Sequence, residues 1–134
     1  MQRYFQKLLM LLVILLLTGC GARSLDDFEE EGEGVIRSLV QELQAIHTRE
    51  QLLAATGIIR RHFDRLVDIM IAAQEYRKSH PEIDKNELLG ANHELSDQLR
   101  IELNRLYKLE GGIQIIEKCQ EKGLHKLDSY KRKG

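Results

Sequence analysis

Apolar residues in the middle of this chain recur every three or four positions. Ile36, Leu39, Leu43 and Ile46 step in that way and predict one face of a helix. Thr48 followed by Gln51 has the form of a capping box, so a second helix is expected to start there. In it Leu52, Thr56, Ile59, Phe63, Leu66, Met70 and Ala73 alternate steps of four and three, which is a heptad seam. Ile58, Val67, Ile69 and Ile71 widen that seam, so more than one neighbour must cover it. Ser79-His80-Pro81 ends the pattern, because proline lacks an N–H and disfavours helix at the residue before it.

A third helix is expected from Asp84, with Glu87 completing its capping pair. Its seam runs Leu88, Asn92, Leu95, Leu99, Glu102, Leu106 and Leu109. Asn92 and Glu102 are polar positions in an apolar row, where such residues often set register. The phase continues past Gly111-Gly112 through Ile113, Ile116, Gln120 and Leu127. Two glycines cost about 2 kcal/mol in a helix interior. The preserved phase predicts one long helix with a kink at the glycines; a separate short fourth helix is the alternative. The end, Lys131-Arg132-Lys133, is expected to fray.

Together these patterns predict an all-α fold. It is an antiparallel helical hairpin with a third, N-terminal helix packed on its apolar side, a small three- or four-helix bundle over residues 35–134. Such a bundle has a modest core. Burial could be completed by a second copy or by another protein.

The start of the chain follows a different rule. Arg3 and Lys7 precede an unbroken apolar run from Leu8 to Leu17, and Thr18-Gly19-Cys20 follows. Charge, short apolar segment and small residues are the parts of a secretory signal peptide. The run of ten is half of the about 20 residues that a spanning helix needs. Leu17-Thr18-Gly19-Cys20 resembles a bacterial lipobox. The resemblance covers residues 1–20 and implies cleavage of a 1–19 leader and lipid, palmitate included, on Cys20. It also implies a lipid-anchored place in the cell envelope. Gly21 stands where an aspartate would imply inner-membrane retention, so the resemblance favours the outer membrane, facing the periplasm, in a Gram-negative host.

Charge changes the picture between anchor and bundle. Gly21 to Gly34 holds Asp26, Asp27, Glu29, Glu30, Glu31 and Glu33 against Arg23 alone. With only Ala22, Leu25 and Phe28 to bury, the segment 20–34 is expected to be a solvated tether. An acidic docking strip is the functional alternative, and an N-terminal helical turn capped by Ser24 is the alternative for part of it. The leader holds two of the 20 basic residues and none of the 21 acidic ones, so the remainder is about three charges negative. That balance argues against nucleic acid as a partner.

Candidate chemistry is sparse. There is no Gly-x-Ser-x-Gly, Walker loop or dinucleotide fingerprint. His47, His62, His80, His93 and His125 are scattered; His93 and Asp97 stand one helical turn apart, but one histidine and one acid do not make a site. No metal set and no cofactor are expected from that spacing. Cys119 is left without an internal partner if Cys20 carries lipid. It is either a reactive thiol favoured by Lys118 and Lys122 or a small side chain packed beside Ile115 and Ile116. Ser129-Tyr130-Lys131-Arg132-Lys133 resembles the Tyr-Arg-Lys end of murein lipoprotein, whose terminal lysine is joined to peptidoglycan. Gly134 follows the lysine here, so contact of the basic end with anionic wall or lipid is what remains implied.

No base, nucleophile and orienter can be named together, so no enzyme is expected. The first expectation is a membrane-anchored helical module for protein interaction or structure. Its partners are the membrane, through Cys20, and another envelope protein or a second copy. The alternative is a bundle that binds a ligand or metal at the membrane surface.

Overall fold

A computed structural model describes residues 24–83 and 92–134. Within them the chain forms α1 (Leu25–Gln44), α2 (Arg49–Ala54), α3 (Thr56–Ser79), α4 (His93–Tyr107) and α5 (Gly112–Lys133), and no strand. The all-α expectation holds, and the architecture is a small helical bundle.

The first helix begins ten residues before the expected boundary. Ser24 accepts from the Asp27 N–H at 3.3 Å, and the Asp27 carboxylate accepts from the Ser24 N–H at 2.9 Å, a complete capping box. Asp26 and Asp27 lie where the helix dipole favours negative charge. Residues 25–34 are therefore helix and not tether. Asp26, Asp27, Glu29 and Glu30 are exposed, while Phe28 turns inward and meets Tyr76 edge-on at 5.8 Å. Burying a ring of that size contributes roughly 1.5–3 kcal/mol, which helps offset the ordering of a segment otherwise rich in charge.

Thr48 and Gln51 form the expected cap, with the Gln51 side chain also accepting from the His47 N–H at 2.7 Å. The helix they start is interrupted at Ala55, so the expected single helix from Thr48 is two, α2 and α3. The Ala55 N–H reaches the carbonyls of Gln51 and Leu52, and the Thr56 hydroxyl bonds back to Leu53. Pro81 and its neighbours end α3 at Ser79 as expected, and His80 stacks on Tyr76 at 4.0 Å.

The expected Asp84–Glu87 cap and Leu88 fall outside the described residues. Asn92 is not a seam residue. It is the N-cap of α4, accepting from the Leu95 N–H at 3.2 Å. Glu102 does sit half-turned to the bundle, where it accepts from Arg105 Nε at 2.8 Å.

Gly111-Gly112 is a break and not a kink. Gly111 adopts φ 70°, and a Cβ on Gly112 would stand 2.0 Å from the Leu106 carbonyl oxygen. The chain therefore turns sharply, and a separate helix of 22 residues follows. It runs through Lys133, so the basic end is helical and not frayed.

Contacts set the directions. Phe28 meets Tyr76 and Gly32 faces Ile69, so α1 and α3 are antiparallel. Cys119 meets Thr56, Lys122 pairs with Asp64 at 3.8 Å, Lys126 with Asp68 and Tyr130 with Glu75, so α3 and α5 are parallel. Helix α4 packs chiefly on α1, and consecutive α3 and α4 are not a principal packed pair.

The main core lies at one end. Leu39 and Leu43 from the end of α1, with Ile46 just beyond it, meet Leu52, Ile59, Leu106, Ile116 and Cys119. The seam expected of α3 is rotated toward its far end: Val67 and Ile69 are buried, whereas Met70 is 51% exposed. That rotation leaves an opening at the other end of the bundle.

Candidate functional site

The opening is an apolar groove of about 330 Å³ between the first half of α1, the second half of α3 and the start of α4. Leu25, Phe28, Gly32 and Ile36 present one wall. Their spacing of three and four continues the row Leu39, Leu43 and Ile46 backwards through the acidic segment. Ile69 and Met70 form the facing wall, and Leu95 closes the α4 side. Gly32 faces Ile69, and a Cβ there would make an ordinary contact at 3.9 Å.

The rim is polar and of one sign. Glu29 and Glu33 line it from α1 and Asn92 and Ser96 from α4; among the described residues no lysine, arginine or histidine lines it. Glu33 lies 4.0 Å from Arg37 on its own helix, a loose contact between partly exposed groups. Such a pair contributes little to stability, and Arg37 offsets part of the Glu33 charge, while among the described residues Glu29 has no ion-pair partner. Glu31 points the other way and pairs with Arg65 on α3.

Cys20 lies outside the described residues. Cys119 is 1% exposed and its Sγ lies 3.7 Å from the Thr56 carbonyl oxygen, the position of a weak hydrogen bond. Burial pushes its thiol pKa up, against a smaller downward pull from Arg60. Lys122, expected to favour the thiolate, instead faces Asp64. The arrangement is that of a packed sulfur, the second of the two sequence readings.

The histidines stay apart. His80 Nδ1 lies 2.8 Å from the Tyr76 carbonyl, and His47, His93 and His125 are exposed. Asp97 is engaged by Arg100 at 3.1 Å rather than by His93. Among the described residues no three of His, Cys, Asp and Glu converge as a metal would require. None of their helices is long and apolar enough to cross a membrane.

A second polar cluster sits at the far end of α3 and α5. The Tyr130 hydroxyl donates to Glu75 and holds that carboxyl below its usual range, while Lys78 stands 4.8 Å over the Tyr130 ring. These groups are solvated and fasten two helices. Sequence reasoning offered the acids of the rim as a docking strip but did not name the apolar row of the groove. The signal was the phase of Leu25 and Phe28, masked by the six acids around them.

Comparison of the chain with protein-family models, with curated proteins and with solved structures finds no match.

Proposed function

We propose that this chain is a lipid-anchored envelope lipoprotein whose bundle serves as a non-catalytic interaction module. The supporting observation is the place where helix α1 starts. Helix α1 is capped at Ser24, four residues after the candidate lipid-bearing Cys20. Four residues span at most about 14 Å. A lipid on Cys20 would therefore hold the bundle against the bilayer, with the groove-bearing end of α1 next to it. The outer membrane, facing the periplasm, is the favoured location in a Gram-negative host.

The partner in this reading is another envelope protein or a second copy of the chain. Cross-linking in intact cells tests it, in wild type and in Cys20→Ser. The expected result is a product that depends on the cysteine. A wild-type chain that remains uncrosslinked and monomeric across cross-linker lengths contradicts it.

The groove also favours a second reading, a small apolar ligand held at the membrane surface. Mass spectrometry of the chain extracted without denaturation distinguishes the two, since a resident ligand would add a discrete mass.

A further inference from the structure

We infer that the groove between α1, α3 and α4 receives the apolar face of a cationic amphipathic helix. The inference deepens the interaction-module reading and rests on it. The groove has an apolar floor, with Phe28, Ile69 and Leu95 at its base and half-exposed Met70 at its lip. Among the described residues its charged lining is Glu29 and Glu33, both acidic. Asp26 and Glu30 on exposed positions of the same helix extend the negative field.

Size and charge select the occupant. From Leu25 to Ile36 the wall of α1 is roughly 16 Å long at the rise of an α-helix, about three turns. A partner helix of that length places apolar residues at i, i+3, i+4 and i+7 on the floor. Lysines or arginines flanking that stripe then reach the two carboxylates at the rim. Like charges across an interface are strongly unfavourable, so the rim rejects acidic helices. The same rim repels the phosphates of an anionic lipid surface, which argues for a peptide over a lipid. A second copy of the groove face would set acid against acid.

The test uses the full chain in phosphatidylcholine nanodiscs, with empty discs as the blank. The probes are two fluorescein-labelled amphipathic helices of equal length, one of leucine and lysine, the other of leucine and glutamate. Anisotropy is expected to show the lysine peptide binding at least about tenfold more tightly. Glu29→Lys with Glu33→Lys should remove that preference, and Met70→Lys should weaken the lysine peptide by a similar factor. Ile101→Lys, on a 58% exposed residue away from the groove, should change nothing. Circular dichroism confirms that each variant is folded. Equal binding of both peptides overturns the inference. So does binding that ignores the Glu29, Glu33 and Met70 changes, or that falls equally with Ile101→Lys. Absence of peptide binding, with anionic vesicles engaged through Met70, assigns the groove to lipid and also overturns it. The anchor is read separately, by the mass of the chain, so either claim can fail alone.

Discussion

Arg105 donates from Nη2 to the carbonyl oxygen of Leu43, 2.7 Å away, and so closes the end of a helix 62 residues earlier in the chain. Its Nη1 donates to the carbonyl of Ile46 at the same distance, and Glu102 holds its Nε. The last carbonyls of a helix lack intrahelical donors and carry the negative end of its dipole. A planar guanidinium reaches one of them, on Leu43, and the Ile46 carbonyl just beyond the helix, while a carboxylate orients it from behind. Arg105→Ala is expected to destabilise the fold by about 2 kcal/mol, the scale of charged hydrogen bonds lost from partly buried groups. For a domain of this size that lowers Tm by roughly 8 °C. Arg105→Lys should recover only part, because an ammonium lacks the fork. Thermal melts by circular dichroism measure both, and an unchanged Tm in Arg105→Ala contradicts the clasp.

The buried face of α4 can be tested with a pair of truncations. Leu106 is fully buried against Ile116 and its neighbours, and Ile101 is turned to solvent. Leu106→Ala should cost about 2–5 kcal/mol by loss of packing and creation of a cavity. Ile101→Ala should stay within roughly 0.5 kcal/mol. Denaturant unfolding gives the two values, and comparable losses would mean that α4 is rotated from the orientation described.

The glycine pair makes an ordered prediction. Gly111→Ala forces a side chain into the left-handed region, a penalty of about 1–2 kcal/mol. Gly112→Ala drives a Cβ into the Leu106 carbonyl at 2.0 Å, and backbone must move to relieve it. Gly112→Ala should therefore be the more damaging in a melting experiment. A tolerated Gly112→Ala would restore the continuous helix that the hydrophobic phase predicts.

Cys119 should resist alkylation until the protein unfolds. Burial raises the thiol's pKa in the folded state, so folding favours the protonated form. The sulfur's contribution to stability is complete below the ordinary thiol range and is lost as pH rises through about 9 and above. Comparing wild type with Cys119→Ala from pH 7 to 10 isolates this component: the wild type should lose more stability at the alkaline end. Rapid labelling of the native chain, or parallel pH curves, contradicts the packed sulfur.

What was legible in the sequence was local. Thr48–Gln51 and Pro81 mark helix ends through bonds made within a few residues, and they do so in the fold. Spacing identified the core residues Leu39, Leu43, Ile59, Leu106 and Ile116. The errors arose where a distant residue decides. Phe28 anchors α1 because Tyr76 is there to receive it, and nothing near Phe28 in sequence announces that. Phase carried across Gly111-Gly112 because a tight turn can join two helices whose apolar rows happen to stay in step. Asn92 reads as a seam position because heptad spacing does not distinguish a helix interior from its first residue. The groove went unread for a similar reason: an apolar row is visible in sequence, but which of the described helices cover it is not.

The anchor carries the functional account, and the mass of the envelope-extracted chain tests it most directly. The account predicts a chain that begins at Cys20 and carries acyl groups on that residue, with Cys20→Ser retaining residues 1–19 and no lipid. A wild-type chain that begins at Met1 with an unmodified Cys20 would contradict it.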